Sequence, residues 1–277
     1  MRTAAHQPAA PQCRPAGPLV QVPDLPEASG IARSQRVPGR LWAHNDSGEP
    51  VLVALDSKGA VTGRVAVSGA RMEDWEAVGV GPCPTGSCIY IADIGDNDAE
   101  RERITVYRLA EPTAAAGTAS VTDLFHATYP DGPQDAEALL ITPEGSLYVV
   151  TKGEGGPVAI YRFPRELRAD ATVQLERVGK PRDGDEAADT TRITDGAVSP
   201  DGEWVVLRSN RAVTFYRAAE LLAGNWRDAG RVDLEQLGEP QGEGVAFGAG
   251  NTIYVTGEGG GKSRPGTFAI LTCTPER

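Results

Sequence analysis

Residues 135–152 read Asp135-Ala136-Glu137-Ala138-Leu139-Leu140-Ile141-Thr142-Pro143-Glu144-Gly145-Ser146-Leu147-Tyr148-Val149-Val150-Thr151-Lys152, and Ile160-Tyr161-Arg162 follows shortly after. An acidic residue opens an apolar run, Pro143-Glu144-Gly145 supplies a turn, and a second run ends in Thr151-Lys152 before a third begins. The runs are short, rich in β-branched and aromatic residues and bounded by turn residues, which is the pattern of strands rather than of a helix.

The same phrase recurs along the chain. Its opening is found at Ser29-Gly30-Ile31-Ala32, Glu76-Ala77-Val78-Gly79, Asp195-Gly196-Ala197-Val198 and Glu243-Gly244-Val245-Ala246. Each copy continues through a turn into a second run (Leu41-Trp42, Ile89-Tyr90, Trp204-Val205, Ile253-Tyr254) and a third (Val53-Ala54-Leu55, Val106-Tyr107, Phe215-Tyr216, Phe268-Ala269-Ile270). A more variable fourth segment, such as Val61 to Val67 or Thr172 to Val178, completes the unit. Five copies spaced about 47 to 61 residues apart suit the four-stranded blades of a β-propeller. The expected fold is therefore all-β, a propeller of five blades of four antiparallel strands; six blades is the weaker alternative. The domain expectation is a flexible segment over residues 1–17 and one propeller over 18–277. Ala218 to Asn225 reads as a helical insertion after the fourth blade.

The last copy leaves too few residues for a fourth strand. The run Leu19-Val20-Gln21-Val22 can supply it and close the ring, which would bring Cys13 beside Cys273. Cys83 and Cys88 flank Pro84-Thr85-Gly86-Ser87, a turn short enough for a disulfide. Two disulfides point to a secreted or extracytoplasmic protein. The first residues lack the apolar core of a signal peptide, so a leader is expected to have been removed.

The chain carries 27 Lys and Arg against 38 Asp and Glu, a net charge of -11. Such a surface repels a phosphate backbone, so nucleic acid is not an expected partner. No stretch approaches the ~18 apolar residues of a membrane span. A monomer acting on a small molecule is the expectation.

In a propeller the starts of the innermost strands and the ends of the second strands share one face. That face should gather Glu76, Glu137, Asp195 and Glu243 with Ser29, with Asp74 and Asp135 each two residues earlier, and beside them Asn45, Asp46, Asp93, Asp96, Asn97, Thr151, Lys152, Arg208, Ser209, Asn210 and Glu258. Like charges crowded at a channel mouth raise one another's pKa, and a hard divalent cation relieves the conflict. Oxygen ligands without thiolate or clustered imidazole favour calcium, ahead of magnesium or manganese; the expected ligands are Glu76, Glu137, Asp195, Glu243, Asn45, Asp93 and Asp96. The competing reading is a solvated polar channel. Lys152 and Arg208 either balance the acids or hold an anionic substrate group. His44 reads as structural because strand alternation turns it from its neighbours' face. Gly257 to Ser263 reads as a loop over the mouth.

Taken together, Leu41-Trp42-Ala43-His44-Asn45-Asp46-Ser47-Gly48, Asp74-Trp75-Glu76-Ala77, Ile91-Ala92-Asp93-Ile94-Gly95-Asp96-Asn97 and Asp135-Ala136-Glu137-Ala138-Leu139-Leu140 resemble a group of secreted actinobacterial propellers, mostly of unknown function. More distantly they are similar to esterase-like-phytase and gluconolactonase type propellers, in which a strand-start Glu and strand-end Asn or Asp hold a divalent ion. The resemblance implies Glu76, Glu137 and Glu243 as direct ligands with Asn45, Asp93 and Asp96 beside them. Those relatives usually have six blades.

Three functions follow as expectations. The first is a calcium-dependent hydrolase of an ester, lactone or phosphoester, with Glu76, Glu137, Arg208 and Lys152 as catalytic residues. The second is a noncatalytic binding propeller with a structural calcium. The third is a metal-free five-bladed glycosidase.

Overall fold

The computed structural model describes residues 12–154, 158–179 and 192–274. The chain opens with β1 (Gln12–Pro15) and β2 (Val20–Val22), which belong to the last blade. Blade one is β3 (Ala28–Arg33), β4 (Arg40–Asn45), β5 (Val51–Asp56) and β6 (Val61–Ser68). Blade two is β7 (Trp75–Cys83), β8 (Gly86–Asp93), β9 (Ile104–Ala110) and β11 (Asp123–Thr128). On the way, β10 (Gly117–Ser120) leaves blade two to lie parallel beside β6. Blade three is β12 (Ala136–Ile141), β13 (Leu147–Thr151), β14 (Ile160–Arg162) and β16 (Glu176–Val178); β15 (Thr172–Gln174), just before β16, lies parallel to β11 instead. Blade four is β17 (Ile193–Val198), β18 (Trp204–Ser209), β19 (Ala212–Arg217) and β20 (Asp228–Asp233), and blade five is β21 (Gln241–Phe247), β22 (Thr252–Glu258) and β23 (Gly266–Thr274). The five innermost strands, β3, β7, β12, β17 and β21, neighbour one another in a closed ring. The expected five-bladed propeller is the observed fold.

Strand alternation builds the core. Successive residues of a blade strand face opposite neighbours, so each blade is apolar on both sides. In β18, Val205 and Leu207 pack toward blade three while Val206 packs toward blade five. Five apolar clusters result, one in each cleft between blades. Trp42 and Trp75 are wholly buried in the cleft between blades one and two, so both are core residues.

Closure follows the expected topology with one extension. β2 pairs antiparallel with β23, and so does β1, in a register that sets Cys13 opposite Cys273. Those two cysteines are bonded, as are Cys83 and Cys88. The strand at Gln12–Pro15 lies inside the 1–17 segment expected to be flexible, so the edge of the blade starts at least at Gln12. The helical turn α1 (Ala218–Leu221) sits within blade four, between β19 and β20, rather than after it. No helix among the described residues is long and apolar enough to cross a membrane.

Candidate functional site

Each inner strand begins with a β-bulge against the second strand of its blade. The register shifts between Ala28 and Ile31, Trp75 and Ala77, Ala136 and Ala138, Ile193 and Asp195, and Gly242 and Val245. A bulge leaves a residue unpaired and re-aims its side chain. The residues so released are Ser29, Glu76, Glu137, Thr194 and Glu243, and all five line one cavity of about 390 Å³ at the channel mouth. Asp46, Asp74, Asn97, Lys152, Arg192, Asn210, Gln241 and Glu258 complete its lining.

Within this ring Glu137 is gripped by Lys152, whose Nζ lies 2.5 Å from Glu137 Oε1 and 3.3 Å from Asp135 Oδ2. The ammonium also donates to Asn97 Oδ1 at 3.2 Å. Burial opposes the charge on Lys152, but Glu137 and Asp135 outweigh it and hold its pKa above the ordinary lysine value. Glu137 itself is pushed up to about 7, because burial outweighs the stabilising ammonium.

Glu76 is bound differently. Ser29 Oγ lies 2.8 Å from Glu76 Oε2 and 2.9 Å from the Glu76 carbonyl oxygen. The Ser29 hydroxyl donates to both oxygens, and its bond to Oε2 favours the Glu76 anion. Burial, reinforced by the Glu137 and Asp74 carboxylates, outweighs it and pushes the Glu76 pKa well above the carboxylate range. Glu243 receives a hydrogen bond from Gln241 Nε2 at 2.7 Å, and burial followed by the charge of Glu137 raises it well above its ordinary value. At the rim, burial and neighbouring acids raise Glu258 to about 7 and Asp46 to about 6.

Several expected site residues lie elsewhere. Asp195 follows the bulge instead of occupying it: its oxygens accept the Gly196 and Val245 amides at 2.7 and 2.8 Å, and Thr194 takes the place in the ring. Arg208 is wholly buried between blades. Its guanidinium donates to the carbonyls of Gly244 and Thr256 and to Glu239 at 2.6–2.7 Å, so it cannot meet a substrate anion at the mouth. Asp93 accepts the amides of Glu73 and Asp74 and pairs with Arg101 at 2.7 Å; Asp96 accepts the amides of Glu100 and Arg101. Asn45 ties Glu27 N to Asp24 O. These three fix the loops that frame the mouth and do not line it.

His44 is also away from the cavity, its ring edge-on to Trp75 and its Nε2 against Gly30, where a Cβ would come within 2.7 Å of that nitrogen. Burial lowers its pKa to about 4, which agrees with a structural role. The loop after Glu258 leans over the face, with Gly259 N bonded to Pro26 O and Lys262 paired to Glu27 at 3.2 Å.

Arg192, Thr194 and Gln241 escaped the sequence reading. A signal was present: Glu27, Asp74, Asp135, Arg192 and Gln241 each stand two residues before a ring residue, on the same strand face by alternation. Among the described residues no three acidic, histidine or cysteine side chains converge as a metal-binding set. Glu137 already has a cationic partner in Lys152. The cavity nevertheless holds six carboxyl groups (Asp46, Asp74, Glu76, Glu137, Glu243, Glu258) against the two cations Lys152 and Arg192.

No protein-family model matches the sequence, and no curated protein matches it. Among solved structures the chain is similar to the PQQ-bound form of aldose sugar dehydrogenase from Streptomyces coelicolor, with a TM-score of 0.57 and 11% identity over 96% of this chain and 99% of that one. At that identity the likeness is one of fold, and it places this chain among the β-propellers.

Proposed function

We propose that the chain is a hydrolase of small, hydroxyl-rich substrates of the glycoside class, with Glu76 as general acid and Glu137 as the ionised carboxylate partner. The observation that carries this reading is the pair of ring carboxyls with unlike partners. Glu76, buried beside the Glu137 and Asp74 carboxylates, has only the neutral Ser29 hydroxyl on its side chain, whereas Glu137 is held by an ammonium that favours its anion. Two carboxyls whose surroundings set their protonation apart suit the hydrolysis of an acetal, where one protonates the leaving oxygen and the other serves water or the forming oxocarbenium ion.

The lining supports the substrate class. Asn97, Asn210 and Gln241 bring neutral amide groups to the cavity, suited to hydroxyl groups. A phosphoester fits less well, because the acids outnumber the cations and both cations are engaged, Lys152 by Glu137 and Arg192 by Glu154. In the proposed cycle Glu76 gives its proton to the leaving oxygen as the glycosidic C–O bond breaks, Lys152 keeps Glu137 charged while positive charge develops on the sugar, and water then adds to the anomeric carbon, its proton returning to the Glu76 carboxylate.

A second reading, a calcium-dependent site for an ester or lactone, is favoured by the excess of carboxyls. The test is a panel of aryl glycosides, lactones, carboxylic esters and phosphoesters, assayed in chelator and in calcium. Glycoside turnover in chelator, reduced by roughly 10²–10⁴-fold in Glu76→Gln, supports the acid–base reading. Turnover of an ester or lactone only when calcium is added supports the second, and no turnover under either condition favours a noncatalytic binding propeller.

A further inference from the structure

The channel has a second mouth, at the other ends of the inner strands, and no carboxyl group lines it. A cavity of about 350 Å³ opens there. Half-buried Val80, Ile141, Val198 and Phe247, from blades two, three, four and five, stand around it. Gly79 and Gly81 let the Ile141 side chain lie directly against β7, since a Cβ at either would fall within 2.5 Å of it. Blade one contributes Arg33, half-buried at the rim. No Asp or Glu lines this cavity, and among the described residues none lies within ion-pair distance of Arg33.

Arg33 thus brings a positive charge to the rim of a cavity that no carboxylate lines. Arg presents a planar fork that matches a carboxylate, and the pairing strengthens where water is partly excluded. The volume lies at the lower end of the ~300–1,000 Å³ of small-molecule sites, which sets the size of the guest. We propose that this second mouth binds a small monocarboxylate with an apolar body, its carboxylate on Arg33 and its hydrocarbon or aromatic part against Val80, Ile141, Val198 and Phe247. The acidic mouth would repel the same ligand, so the two ends of the channel select different chemistry.

Octanoate is a suitable probe, titrated into the intact protein while the methyl resonances of Val80, Ile141 and Val198 are followed by NMR, with 1-octanol as the neutral control. Saturable shifts of these methyls with a dissociation constant below about 1 mM are expected. Arg33→Gln should weaken octanoate at least 10-fold with the melting temperature unchanged, as loss of a charge-assisted bond requires. Val198→Phe, which fills the cavity and leaves Arg33 in place, should abolish binding. Octanol should bind at least 10-fold more weakly than octanoate. The inference is overturned if wild type shows no saturable shift up to about 10 mM, if Arg33→Gln or Val198→Phe binds as wild type does, or if octanol binds as well as octanoate.

Discussion

Arg208 shows how a residue's chemistry depends on which side of a strand carries it. In the sequence it stands beside Ser209 and Asn210 at the end of a second strand, and a cation there reads as a partner for substrate. In the fold it points into the cleft between blades four and five and satisfies Glu239 and two carbonyls without exposure to solvent. Arg208→Ala should therefore unfold the protein more easily, by about 3–5 kcal/mol, because Glu239 would be left as an unpaired buried charge. Denaturant titration measures this, and a loss below about 1 kcal/mol would show that the pair is not what joins the two blades. Lys152 was legible, since it follows the second strand of blade three and its partner Glu137 starts the first. Lys152→Met should make Glu137 harder to ionise and move the rising limb of the activity profile to higher pH.

At the scale of the strand, the bulges decide the site. Period-2 patterning gave the strands and their order, because the apolar runs and Pro-Gly turns are local signals. It could not show that an extra residue is accommodated at each inner strand's start, so Asp195 aligned with Glu76 and Glu137 although Thr194 occupies their place. Asp195 instead fastens blade four to blade five by accepting the Val245 amide. Asp195→Asn should replace an acceptor with a donor facing an amide and cost about 1–3 kcal/mol, with little change in catalysis by the folded fraction. A comparable melting temperature with lost activity would place Asp195 in the site after all. Asp93 and Asp96 accept loop amides for a related reason: a carboxylate at a strand end is as useful for ordering a loop's amides as for holding an ion.

For the whole molecule, ring closure and the acidic mouth make separable contributions to stability. The bond between Cys13 and Cys273 spans a separation of 260 residues. Its removal in the double Ser variant should cost about 5 kcal/mol in the chain-entropy treatment, while removal of the local Cys83 to Cys88 bond should cost less. Equal losses would argue against closure as the origin. The mouth acts through pH. Glu258 and Asp46 have folded pKa values of about 7 and 6, above their ordinary 4.5 and 3.8. The folded state thus holds protons that the unfolded chain has released, so this contribution is complete below about pH 4 and is lost as pH rises through 6–7. Melting temperature should fall between pH 5 and 8, and Asp46→Asn with Glu258→Gln should flatten the curve.

Whether Glu76 and Glu137 form an acid–base pair is read from the pH dependence of aryl glycoside hydrolysis in chelator. The pair should titrate with two apparent pKa values and give a bell-shaped profile, rising as Glu137 ionises and falling as Glu76 loses its proton. Glu76→Gln should remove the falling limb and most of the rate. A wild-type protein that hydrolyses glycosides with no dependence on either glutamate, or that hydrolyses none, would contradict the account.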